Sequence, residues 1–221
     1  MDFTMYDMLL QLPLFQGLGK NDITEILTKV KFHFHRHPQD TYLVKQDDEC
    51  KHVCFLLKGS LLAETESRNH TYTLYERIAS PYMIELYSLF GLAPRYHSSY
   101  WTETEVNILT IDKQYLFNEL SNYAVCQFNF ANIICSRAQQ QYKQIWNDPY
   151  GELRTRFIQF IRQHALRPAG YKRLKTKMED LALLLNDRRI NVSKMLNEMQ
   201  DEKLINLRRK EIEIPALENL I

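Results

Sequence analysis

Between Lys113 and Asn147 the chain has neither glycine nor proline, and Asp148-Pro149 closes the run. Apolar residues recur there at Val125, Phe128, Ala131 (or Asn132), Ile134 (or Cys135), Ala138, Tyr142 and Ile145. Steps of three and four place them on one stripe of a helix. At about 1.5 Å per residue, a helix from Ser121 to Asn147 would be roughly 40 Å long. A small domain needs less for its own core, so this is either a partner helix of coiled-coil type or a spine between domains. Interspersed Gln and Asn make the seam imperfect. The residue before a proline avoids the α region, so the helix should stop at Asp148, the expected domain boundary.

The 221 residues suffice for one large or two small domains. With 45% apolar and 25% charged residues the chain can bury a core and is too apolar for disorder. No apolar run reaches membrane-spanning length. The first residues, Met1-Asp2-Phe3-Thr4, lack a basic leader, so a cytoplasmic setting is expected. Four cysteines, Cys50, Cys54, Cys126 and Cys135, are too few for a disulfide scaffold. Cys50-x-x-x-Cys54 has no second pair at finger-like spacing, so no metal is expected.

Net charge is +1 overall but unevenly spread. Residues 1–148 carry 13 Lys/Arg and 17 Asp/Glu, whereas residues 149–221 carry 15 and 10. A basic C-terminal end points weakly to a polyanion.

Before the long helix, residues 2–29 read as short helices, one capped at Asn21-Asp22. Residues 31–112 read as close-spaced β runs: 30–35, 41–44, 52–58, 60–64, 72–78, 98–104 and 105–111. Turns such as Lys58-Gly59-Ser60 separate them, and a sandwich or jelly-roll barrel follows. His33-Phe34-His35-Arg36-His37 puts three histidines on one strand face, read as a polar edge with Phe32 and Phe34 packed inward.

Beyond Pro149 the texture is helical. Leu153, Phe157, Phe160 and Ile161 form a stripe ended by Arg167-Pro168-Ala169-Gly170. Thr176-Lys177-Met178-Glu179 matches a capping box ahead of Leu181–Leu185. Asn186-Asp187 then turns the chain, and Asp187 can cap a helix from about Arg188 to Asp201. Val192, Met195, Leu196 and Met199 face inward, leaving Arg189, Ser193, Lys194 and Asn197 opposite, with Arg188 and Asn191 at the leading end. Two short helices around a tight turn, the second bearing Arg, Asn, Ser and Lys, are the parts of a helix-turn-helix. Arg and Lys suit guanine O6/N7, and Asn suits adenine. Leu204–Leu207 and Ile212–Ile214 flank Arg208-Arg209-Lys210, a hairpin wing whose cationic tip suits phosphates.

With these modules in this order, the chain resembles the cyclic-AMP receptor protein/FNR (Crp/Fnr) family of bacterial transcription regulators over nearly its full length. The resemblance is strongest at Leu181-Ala182, Val192–Leu196, Leu204-Ile205 and Ile212–Ile214. It implies an α+β chain: a jelly-roll-like, cyclic-nucleotide-binding-like β-barrel (1–115), a dimerisation helix (116–148) and a winged helix-turn-helix (149–221). The family's base-contacting positions fall on Arg189, Ile190 and Lys194; where the family often has Glu, Ile190 removes an acceptor for cytosine. Arg188, Asn191 and Ser193 are the further base-reading candidates, and Lys175, Arg208, Arg209 and Lys210 the phosphate contacts. The implied partners are pseudo-palindromic double-stranded DNA, a second copy of the chain and RNA polymerase. The implied mechanism turns the DNA heads about a hinge at Asn147–Pro149.

Phe55–Leu61 resembles the central strand and Gly turn of the nucleotide-sensing barrel. Glu85-Leu86 and His97-Ser98 fit the ends of its phosphate cassette. That cassette uses glycine for close backbone approach and Arg for the phosphate. Here Ile84 replaces the glycine and His97 the arginine, with Arg95 two residues away. Glu85, Arg95, His97 and Ser98 thus form the candidate effector pocket, of unknown ligand, with cyclic AMP disfavoured and no cofactor expected. The FNR-type cluster cysteines are missing near the N-terminus. No enzyme motif appears, since Gly-rich phosphate loop, G-x-S-x-G and H-E-x-x-H are all lacking. The competing reading is a barrel module that binds a small ligand or a protein without DNA.

Overall fold

The computed structural model describes residues 5–145 and 151–220. The chain opens with α1 (Met5–Leu10) and α2 (Lys20–Lys29). Eight strands follow: β1 (Phe32–His37), β2 (Tyr42–Val44), β3 (His52–Lys58), β4 (Ser60–Glu66), β5 (Tyr72–Ala79), β6 (Tyr82–Ile84), β7 (Ser99–Thr102) and β8 (Val106–Asp112). Then come α3 (Lys113–Asn118), α4 (Ala124–Ile145), α5 (Leu153–His164), β9 (Lys172–Thr176), α6 (Met178–Leu184), α7 (Arg189–Asp201), β10 (Asn206–Arg208) and β11 (Glu211–Ile214). They form two compact units, residues 1–61 with 78–140, and residues 62–77 with 141–221.

In the first unit an antiparallel sheet runs β1-β8-β3-β6, and β2 pairs with β7. Val53–Leu56 of β3 are all buried, as expected of a strand covered on both faces. The Phe15 ring packs 5.9 Å from Phe55 and 6.4 Å from Phe32. Gly59 turns β3 into β4 at φ 95°, where an added Cβ would lie 2.5 Å from the Glu105 carbonyl oxygen, so only glycine fits.

Three local expectations change here. Helix α2 is capped at Gly19, and Asp22 sits inside it, its carboxylate accepting the Gly19 N–H at 3.1 Å. Phe34, on the edge strand β1, is 49% exposed rather than packed inward. The long helix begins at Ala124, not near Ser121; a 3-10 turn at Leu120–Asn122 separates it from α3. The rings of His33, His35 and His37 lie 6.2–6.3 Å apart in sequence. Among the described residues no group of three His, Cys, Asp or Glu could hold a metal ion. Burial pushes the Cys54 thiol up to about 12 and Cys126 to about 11, so neither supplies a thiolate near neutrality.

Helix α4 has two characters. Cys126 is buried, and Phe130, Ile133 and Arg137 are half-buried. Phe128, Ala131, Cys135, Ala138 and Tyr142 are exposed, Phe128 at 69% and Tyr142 at 62%. The expected hinge at Asn147–Pro149 lies outside the described residues.

In the second unit the sheet runs β10-β11-β9-β5. Strand β9 was not legible from its basic sequence Lys172-Arg173-Leu174-Lys175-Thr176. It pairs with β11 on one side and β5 on the other, with Leu174 opposite both Ile212 and Leu74. Lys172 and Glu76 form a buried ion pair at 2.9 Å. Lys172 also donates to the Ala169 carbonyl at 2.8 Å, and Glu76 accepts the N–H groups of Leu166 and Arg167. These extra bonds offset the desolvation of two charges. The core beneath holds Phe157, Ile161, Leu181, Val192, Leu196 and Ile214. No helix of the described residues is long and apolar enough to cross a membrane.

Candidate nucleic-acid interface

Helix α7 buries Val192, Met195, Leu196 and Met199 against α5, α6 and the sheet. Their i, i+3, i+4, i+7 spacing fixes which residues stand opposite. Ile190, Lys194 and Asn197, at i, i+4 and i+7, occupy the middle of the outer face, all exposed. Arg189 stands at the flank of that face, Ser193 is half-buried and Asn191 is exposed.

The helix is entered through a clamped turn. Asn186 adopts φ 48°, a left-handed geometry that Asn tolerates better than most residues. Arg156 of α5 donates to the carbonyl oxygens of Leu185 and Asn186 and pairs with the Asp187 carboxylate. Asp187 accepts the Arg188 N–H and the Asn191 side-chain amide, each at 2.8 Å. The Asn191 amide, then the Arg188 N–H and Arg156, hold the Asp187 carboxyl below its ordinary range. Asn191 is therefore tied to the turn in the free chain. The capping box expected at Thr176–Glu179 does not form. Thr176 ends β9 and its hydroxyl donates to the Thr71 carbonyl, while α6 starts from Lys177 without a side-chain cap.

The cations of this face are only loosely held. Arg189 Nε lies 3.2 Å from Glu179, both side chains more than 60% exposed. Lys194 Nζ lies 3.9 Å from Glu198, and Arg208 Nε 3.3 Å from Glu213. The exposed pairs of Arg189 and Lys194 contribute at most about 1 kcal/mol and exchange readily for another anion, whereas Glu213 opposite Arg208 is only 15% exposed. Arg188, Lys175, Arg209 and Lys210 are exposed, and none makes an ion pair among the described residues. Arg209 and Lys210 form the tip between β10 and β11, with Lys210 at φ 61°.

The effector-pocket residues present the opposite picture. Glu85 is 1% exposed, at φ 36°. Its carboxylate accepts four hydrogen bonds: the N–H of His97 at 2.7 Å and of Ser98 at 3.0 Å, the Ser88 hydroxyl at 2.8 Å and the Tyr100 hydroxyl at 3.1 Å. The His97 ring projects outward, its Nδ1 3.2 Å from Ser88 Oγ and 3.7 Å from Glu85. Glu85 raises the His97 pKa above its ordinary value. Arg95 is exposed and donates to the Asp47 carbonyl at 2.6 Å. Sequence reasoning missed Ser88 and Tyr100, as well as Arg156 at the other site.

A family model of the Crp-like helix-turn-helix domain matches residues 155–221. No curated protein matches the chain. Among solved structures, the catabolite activator protein of Thermus thermophilus is similar at 17% identity and TM-score 0.55, over 94% of this chain and 96% of that one. The c-di-GMP responsive global regulator CLP of Xanthomonas campestris is similar at 16% identity and TM-score 0.53, over 89% and 99%. The N-terminal domain of a transcriptional regulator from Streptomyces coelicolor A3(2) is similar at 16% identity and TM-score 0.51, over 66% and 100%. Residues 155–221 are thus a Crp-like helix-turn-helix domain, and the chain as a whole shares the fold of these regulators.

Proposed function

We propose that the chain is a dimeric, sequence-specific DNA-binding regulator that does not respond to cyclic AMP, and that it is not an enzyme. The observation that carries this reading is the outer face of α7, where Arg189 and Lys194 are exposed and only weakly paired. Arg189 and Lys194 read bases, helped by Arg188, Asn191 and Ser193. Asn191 does so on leaving Asp187. Lys175, Arg208, Arg209 and Lys210 meet phosphates.

Dimerisation is supported by the exposed stripe of Phe128, Ala131, Cys135, Ala138 and Tyr142 along α4. A partner helix would cover it and set two α7 helices one DNA turn, roughly 34 Å, apart. The partition proposed is a sensor barrel over 1–115, a dimer helix over 116–148 and a DNA head over 149–221. Work in the cytoplasm and contact with RNA polymerase go with that role. The closed state of Glu85 supports loss of cyclic AMP binding. The carboxylate that would hold a ribose hydroxyl is spent on four internal donors, and a cyclic phosphate would meet His97 in place of a fixed cation.

The test is selection of bound sequences from a random duplex pool, with and without a small-molecule cell extract. A palindromic consensus is expected. Recovery of no consensus, with no salt-dependent affinity, overturns the proposal and favours a barrel module without DNA.

A further inference from the structure

Ile190 is 75% exposed in the first turn of α7, at the centre of a face otherwise built from Arg, Lys and Asn. Resting on the DNA-binding reading above, we infer that Ile190 packs on a thymine methyl group in the major groove and sets a T·A preference in each half-site. Lone exposed apolar side chains are common on protein surfaces. This one differs in its position and company. It is in helical register with Lys194 and Asn197, and Arg188 and Arg189 precede it directly.

A face of that charge repels a cationic partner and suits a polyanion. Once it enters the groove, Ile190 can neither donate nor accept a hydrogen bond. Against guanine, cytosine or adenine edges it would leave polar atoms unsatisfied. The thymine C5-methyl is the apolar group that the major groove offers. A β-branched side chain on a helix is also stiff at χ1, so little freedom is lost on contact. Exposed isoleucine at this position is thus a reader of shape and methyl rather than of hydrogen bonds.

The experiment uses the full chain and the consensus duplex recovered by selection. Each thymine is replaced singly by deoxyuridine, which removes one methyl and leaves pairing unchanged. One symmetric position is expected to bind about three- to fivefold more weakly, the factor for burial of one methyl. At that position Ile190→Ala should bind thymine and uracil duplexes equally while keeping its other base preferences. Ile190→Glu should shift the selected base from thymine towards cytosine. Insensitivity at every thymine, or an unchanged thymine-to-uracil ratio in Ile190→Ala, overturns this inference and leaves the DNA-binding reading intact. Failure to select any consensus overturns both.

Discussion

Glu85 and Arg189 are both charged side chains singled out above as candidate site residues, and their surroundings are opposite. Glu85 is buried with four donors at 2.7–3.1 Å. Arg189 is 68% exposed with a single carboxylate nearby. A charge whose bonds are complete has nothing to gain from an incoming ligand. A charge held by an exchangeable surface partner gains from a phosphate or a base edge. On the function proposed above, the same chain keeps its reading surface open and holds Glu85 closed on internal donors.

The comparison breaks most readily at Glu85. Glu85→Ala strands four donors, two of them backbone N–H groups, and should cost about 3 kcal/mol in denaturant unfolding. A loss under about 1 kcal/mol would mean that the carboxylate is not the keystone of that cleft. Arg156→Ala should cost about 2 kcal/mol, because the turn before α7 loses three acceptor contacts. It should also weaken operator binding, although Arg156 reads no base; unchanged affinity would show that the clamp does not position α7.

A subtler difference lies at His97. Followed by NMR, its titration midpoint should lie above the ordinary value near 6.5 and fall towards it in Glu85→Gln. Since the folded-state value is raised, the interaction stabilises fully below about pH 6.5 and is lost as pH climbs through the folded value. The smallest expected effect is none: cyclic AMP should leave the melting temperature unchanged. A ligand present at 100 times its Kd would add about 2.7 kcal/mol, so a clear upward shift would reopen the cleft.

The DNA head was largely legible in the sequence because periodicity fixes it. The inward positions Val192, Met195, Leu196 and Met199 are all buried, and the wing hairpin forms at the expected place, although Arg208 belongs to β10 and only Arg209-Lys210 make its tip. What escaped depends on partners distant along the chain. Strand β9 gains its place from β5, about a hundred residues earlier, so Thr176 bonds to Thr71 instead of capping α6. The Arg156 clamp joins groups 29–31 residues apart. The donors around Glu85 include backbone N–H groups, which no side-chain pattern reveals. The break before Ala124 lacks glycine or proline, so nothing local announced it.

The most direct test of the reading surface is a mobility-shift titration of Arg189→Ala and Lys210→Ala at several salt concentrations, on the selected operator and on random duplex. Arg189→Ala should lose about 1–3 kcal/mol on the operator and much less on random DNA, relaxing specificity. Lys210→Ala should weaken both alike and flatten the salt dependence by about one charge. Equal losses on operator and random duplex for Arg189→Ala would contradict the account.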